Sequence, residues 1–261
     1  MLCFYVFIII QIVAESFPIS SSGHAALFSC IISQYGMQLP AVTNAVWFNH
    51  LLHLPTALII AIFFRRRWTW LLMRPWYYRA IIMKLIGIVG VADTITVLFY
   101  GLFKTVGLHW FPIGVGFICT MCILISLQWC PQPRKRYSPV CIALVLGCAQ
   151  GISLLPGISR FAITYVCARW LCLNAHRAFY LSWLLQWPLI FVASLHGILG
   201  LSLCGLSPEL LRPSLGLVII GATVVAWYGL RLTYQMACMH QLYKWWRYMP
   251  IPFSLWVLLC A

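Results

Sequence analysis

Acidic side chains are nearly absent from this sequence: its 261 residues hold three, Glu15, Asp93 and Glu209. Charge of either sign is scarce as well, at 8% of residues against about 25% in an average soluble domain. A chain of this composition cannot cover itself with polar groups. A water-soluble globular fold is therefore excluded, and lipid must be the main solvent. Hydrophobic residues make up 63% of the chain, and apolar stretches of about 20 residues recur, the length that crosses a hydrocarbon core of about 30 Å. With no water at that depth, each stretch is expected to be helical so that its backbone groups pair within the segment. The expected fold class is an all-α polytopic membrane protein.

Other absences narrow the reading. No basic stretch precedes the first apolar run, from Met1 to Val13, so this run lacks the pattern of a signal peptide and is read as part of the mature chain. The 12 cysteines sit almost entirely in apolar stretches. Cys119 and Cys122 have the spacing of a metal-binding pair but no second pair or nearby histidine, and they read as packing groups. Positive charge is not lacking: 17 Lys and Arg give a net charge of +14. Because these residues cluster in short loops between apolar runs, they mark topology rather than a nucleic-acid surface. Anionic lipid is their natural neighbour.

An apolar stretch from Leu2 to Ala14 is broken by ESFPISSSGH, and a short one follows from Ala25 to about Ile32. Full spans are expected at about Thr43–Phe64, Leu85–Phe103 and Trp110–Cys130. A second broken pair covers Pro139–Leu155, the turn PGISR and Phe161–Leu173. Spans follow at about Phe179–Leu203 and Leu215–Leu230, and a short final segment at Ile251–Ala261, extended by Trp245–Met249. If each broken pair is a re-entrant hairpin, every basic loop falls on one side: Arg65–Arg67, Arg74, Arg79 and Lys84; Arg134–Arg136; Arg177; and Arg231, Lys244 and Arg247. The other connections hold only Lys104 and Arg212. The expectation is a single membrane domain, 1–261, with about six spans and two re-entrant hairpins in an inverted repeat, 1–130 and 138–261. Such repeats gather a site near the midplane, where broken helices meet.

The two breaks hold most of the polar groups at membrane depth, where such groups are costly and usually functional. The first runs from Glu15 through Pro18, Ser20, Ser21, Ser22 and Gly23 to His24; the second from Pro156 through Gly157, Ser159 and Arg160 to Thr164. Pro18 and Pro156 interrupt helices, and the new half-helix after each break aims free N–H groups and a positive dipole end at the gap. That is an anion site. Arg160 adds a planar donor suited to phosphate. One carboxylate and one imidazole can between them activate a nucleophile and protonate a leaving group. Phosphoryl chemistry on a membrane-embedded anion fits this set.

The pattern ExFPxSSxGH, followed about 140 residues later by PGxSRxxxT, resembles the bacterial undecaprenyl-diphosphatase family (BacA type, linked to bacitracin resistance), over nearly the whole chain. FNHLLHLPTAL and the final IPF are lesser matches. The resemblance implies a hydrolase of the bacterial inner membrane that removes the terminal phosphate of undecaprenyl pyrophosphate and so recycles the lipid carrier of peptidoglycan synthesis. It implies a site open to the periplasm and a divalent cation, Mg²⁺ or Ca²⁺. Carried over, Glu15, Ser21, His24 and Arg160 are the candidate catalytic residues, with Ser21 or water as nucleophile. Ser20, Ser22, Gly23, Gly157, Ser159 and Thr164 are candidates for holding the diphosphate, and Glu15 for a metal. Gln11 replaces a family glutamate, so one metal carboxylate is missing. SRFAIT replaces SRSGAT, and His53 and Pro55 stand where glutamine and glycine are common. The expected partners are the polyprenyl pyrophosphate, the membrane and a second copy of the chain, with no nucleic acid.

Asp93, in GVADTITVL, either faces a cavity or pairs with a basic group. The other histidines, His50, His53, His109, His176, His196 and His240, read as structural or interfacial, and the many Trp and Tyr as interface belts. The competing functions are a transporter or flippase of the same lipid phosphate, and a degenerate relative without activity. The type-2 phosphatidic acid phosphatase class wants a histidine five residues after Ser-Arg, and none comes before His176.

Overall fold

The computed structural model describes residues 1–107, 111–131, 137–204 and 212–259. The basic triplet Arg134, Lys135 and Arg136 lies outside them, as do His109, Trp110, Glu209 and the last two residues of the expected final span. Among the described residues every regular element is helical. Four stretches are long and apolar enough to cross a membrane: Val46–Phe63, Arg79–Val106, Ala175–Cys204 and Pro213–Cys238. The chain is an all-α polytopic membrane protein.

Helix α1 (Leu2–Ala14) ends at the first break, and α2 (Ser21–Gln34) leaves it. α2 begins earlier than the expected Ala25 because the Ser20 hydroxyl caps it, accepting from the Gly23 N–H at 3.1 Å. The next span is bent into α3 (Val46–Leu51) and α4 (Leu54–Phe63), with Pro55 in the first turn of α4, where its missing N–H costs nothing. α5 (Arg65–Met73) corrects the sequence reading: the Arg65–Arg67 cluster opens a short exposed helix rather than a loop. Then follow α6 (Arg79–Val106), α7 (Ile113–Ser126), α8 (Pro139–Ile152), α9 (Arg160–Trp170), α10 (Ala175–Cys204), α11 (Pro213–Cys238) and α12 (Pro250–Leu259). α6, α10 and α11 outrun their apolar cores because basic stems can lie along the hydrocarbon while their heads reach the interface. α12 is also a correction. Residues Leu242–Arg247 form a separate 3-10 turn rather than extending it, so α12 has 10 described residues, too few to cross alone.

The helices pack in exchanged pairs. α1 lies on α2 and α11, as α8 lies on α9 and α6. α2 meets α12, as α9 meets α7; α4 meets α11, as α6 meets α10. α4 with α10, and α7 with α12, join the halves directly. Phe4, Phe48, Phe117, Phe179 and Trp183 fill the interior. α6 turns Ile81, Ile86, Val97, Leu98 and Leu102 outward, as a lipid-facing helix must.

Candidate active site

The two breaks are built alike. Ser20 and Ser159 each hold an extended backbone, at ψ 110° and 117°, and each hydroxyl accepts from the N–H three residues on, at Gly23 and Ala162. A serine in this conformation satisfies one of the orphan donors of a helix start and leaves the others facing the gap. The first turns then touch. A Cβ added to Gly23 would come within 2.9 Å of the Gly157 Cα, so only glycine allows this approach. Gly157 itself has φ +85°, a left-handed conformation that glycine adopts without strain.

Thr120 of α7 pins the second tip. Its hydroxyl donates to the Gly157 carbonyl at 2.9 Å and accepts from the Ser159 N–H at 3.0 Å. Thr120→Val keeps the shape but strands both groups in a buried place, at a cost of about 1–3 kcal/mol for each group left bare. Thermal unfolding in detergent should show a clear drop for this variant, and an unchanged transition would mean the pin carries no load.

Between the breaks lies a cavity of about 130 Å³. Glu15, Ser20, Ser21 and Ser22 line it from the first hairpin, Ser159 and Arg160 from the second, with Gln11, His53, Ser153, Phe161 and Gln186 around them. Glu15 follows the last turn of α1, and both its oxygens face His53 Nδ1, at 2.8 and 3.0 Å. Arg160 opens α9. Its Nε is enclosed and has no hydrogen-bond partner among the described residues, and Glu15 and Asp93 are the carboxylates whose field reaches it. Of the three serine hydroxyls, Ser20 caps its helix and Ser22 lies 3.3 Å from Ser20. That of Ser21 is the one that no described residue engages. An unpartnered guanidinium edge, a free hydroxyl and a carboxylate thus converge at two helix starts. This arrangement can hold an anion and move a proton.

Other sequence candidates stand behind this surface. His24 does not line the cavity. Its Nδ1 donates to the Ser20 carbonyl at 2.6 Å, which fixes the tautomer, and its Nε2 lies 3.1 Å from the Tyr248 hydroxyl, with the two rings stacked. It braces the turn that presents Ser21 and Ser22. Thr164 lies one turn below Arg160 and donates to the Arg160 carbonyl at 2.8 Å. Asp93 of α6 accepts from the Gln150 amide of α8 at 3.0 Å. Gly23 and Gly157 shape the contact between the tips rather than the cavity wall.

Sequence reasoning treated His53 as structural and named neither Ser153 nor Gln186. The available signal was the sequence HLP, a polar group just before the proline where the helix bends. Arg169 was also missed. Its guanidinium donates to the Leu173 carbonyl at 2.8 Å and closes the end of α9.

Among the described residues no three His, Cys, Asp or Glu side chains are grouped so as to hold a metal. Glu15 is the cavity's lone carboxylate, it is already engaged by an imidazole, and it faces a guanidinium across the gap. Hard cations want several oxygen ligands with negative charge among them. These residues do not fit a tightly held Mg²⁺ or Ca²⁺.

A family model described as bacitracin resistance protein BacA matches residues 5–252. Similar proteins include undecaprenyl-diphosphatase 4 of Bacillus thuringiensis (strain Al Hakam), 29% identical over 185 residues, 70% of this chain and 68% of that one. The undecaprenyl-diphosphatase of Carboxydothermus hydrogenoformans is 31% identical over 190 residues, 71% and 69% of the two chains. That of Elusimicrobium minutum is 29% identical over 187 residues, 70% of each.

Proposed function

Since this chain belongs to the bacitracin resistance protein BacA family, we propose that it is an undecaprenyl-diphosphate phosphatase, converting undecaprenyl pyrophosphate to undecaprenyl phosphate and inorganic phosphate. The observation that carries the reading is the meeting of two capped helix starts around Arg160, Ser21 and Glu15 in one cavity. The diphosphate sits against the free N–H groups and positive dipole ends of α2 and α9. Arg160 donates to its non-bridging oxygens, where charge grows as the phosphoryl group transfers. The attacking oxygen comes from Ser21 or from water. As its bond to the terminal phosphorus forms, the bond from that phosphorus to the bridging oxygen breaks and the lipid monophosphate leaves with the bridging oxygen; where Ser21 attacks, a water then cleaves the phosphoserine and releases inorganic phosphate. Glu15 takes the attacker's proton. His24 keeps Ser20 and the turn in position.

The exchanged packing of the halves supports an inverted repeat, 1–130 against 138–261. The basic loops support a cytoplasmic side that carries Arg65–Arg67, Arg177 and Lys244, so that the first hairpin dips in from the periplasmic side and the second from the cytoplasmic side. The membrane is then the bacterial inner membrane, and the product re-enters peptidoglycan synthesis. One chain completes the cavity, so a second copy would act only on stability or placement in the membrane.

The same exchanged packing suits a transporter of polyprenyl phosphate, and turnover separates the two. Purified protein should release phosphate from undecaprenyl pyrophosphate, and Glu15→Gln should retain lipid binding while losing about 10²–10⁴ in rate, the usual worth of a general base. Lipid binding by wild type with no phosphate release under any condition would favour the transporter or an inactive relative.

A further inference from the structure

The largest departure from a cation-binding site is the Glu15–His53 pair, and it bears on how this chain does its chemistry. We infer that His53 occupies the place a divalent cation would take at Glu15, so that hydrolysis here needs no tightly held metal. The inference rests on the phosphatase reading and deepens it. His53 Nδ1 reaches both Glu15 oxygens, at 2.8 and 3.0 Å. A carboxylate only accepts, so Nδ1 carries the proton, and the ring holds Glu15 in one orientation toward the cavity they share. His53 is a positioning residue: it acts through Glu15, as an orienting partner does for a catalytic base.

A second observation points the same way. Gln11 stands one helical turn before Glu15 on α1 and lines the same cavity. It is 5% exposed, and its Oε1 has no hydrogen-bond partner among the described residues. The position is aimed at a ligand, yet it offers a neutral amide. A carboxylate at 11, together with a neutral side chain at 53, would leave two negative groups one turn apart with no imidazole between them. A neutral amide at 11 with imidazole at 53 leaves one negative group already satisfied. The positive side of the site is then supplied by Arg160 and the two helix starts, without an ion.

The test uses full-length protein in detergent and four forms: wild type, His53→Gln, Gln11→Glu and the double variant Gln11→Glu/His53→Gln. Mn²⁺ binding is read by electron paramagnetic resonance, and phosphate release from undecaprenyl pyrophosphate is measured with and without EDTA. Wild type should hold no Mn²⁺ and should turn over equally in EDTA. His53→Gln should lose about 10- to 100-fold in turnover, the usual cost of removing an orienting partner, with lipid binding unchanged. The double variant should bind stoichiometric Mn²⁺ and become sensitive to EDTA. Stoichiometric Mn²⁺ on wild type, loss of its turnover in EDTA, or a folded double variant that gains no Mn²⁺ would each overturn the inference. If the double variant does not fold, wild type alone decides through its metal binding. Should no form release phosphate, the phosphatase reading fails, while the Mn²⁺ measurements still judge the inference.

Discussion

Arg160→Ala is expected to lower phosphate release by about 10²–10³-fold, the cost of removing one donor aimed at the developing charge of a transition state. The unfolding temperature in detergent should stay level or rise. The two halves of this expectation have one cause. The Nε of the half-buried guanidinium is enclosed and has no partner among the described residues, so the folded protein carries an under-satisfied cation. Removing a buried, poorly paired charge relieves a desolvation cost, which most activity-destroying mutations do not do. Arg160→Lys should fall between, because it keeps the charge but loses the planar fork that matches a phosphate edge. Phosphate release read beside thermal unfolding separates the cases. A large fall in unfolding temperature for the alanine variant would mean that Arg160 supports the fold through Glu15 and Asp93 rather than awaiting an anion.

The breaks were legible in the sequence because each contains a proline, a glycine and a capping serine, and these residues act locally. Ser20 and Ser159 behave as helix caps whatever surrounds them. The apolar runs were legible for the same reason, since a membrane leaves the backbone few alternatives. What could not be read was set by distant contacts. His53 is 38 residues from Glu15 and stands among six other histidines with no local mark of its partner. His24 looked catalytic within its motif, yet Tyr248, 224 residues away, takes its second nitrogen. The helix at Arg65–Met73 was hidden because three consecutive arginines read as a loop between spans, although arginine is a good helix former. Phe161 marks a subtler case. Beside Arg160 its ring stacks on Trp183, with centroids 5.0 Å apart. Part of the cavity wall is therefore apolar packing, and the partner that holds the ring, 22 residues on, has no mark in the motif.

Gly116→Ala and Gly157→Ala should each cost about 3 kcal/mol or more, at the upper end of overpacking penalties. A Cβ on Gly116 would run into the Pro156 carbonyl and lie 2.7 Å from the Gly157 Cα. A Cβ on Gly157 would strike the Ile113 carbonyl and force an alanine to hold φ +85°. The obstacles are backbone atoms, which cannot swing away as a side chain end can. The second tip must then retreat, and it carries Ser159 and Arg160 with it. A displacement of about 1 Å at a catalytic group can cost about 10²-fold in rate, so turnover should fall even in molecules that remain folded. α6 provides the control, because a Cβ on Gly87 or Gly90 meets nothing within 4 Å. Gly90→Ala should be neutral or stabilise by up to about 1 kcal/mol through helix propensity, with full activity. Equal tolerance at Gly90 and Gly116 in parallel unfolding and turnover assays would show that α7 does not hold the second tip as closely as the site requires, and the placing of Ser159 and Arg160 would lose its physical basis.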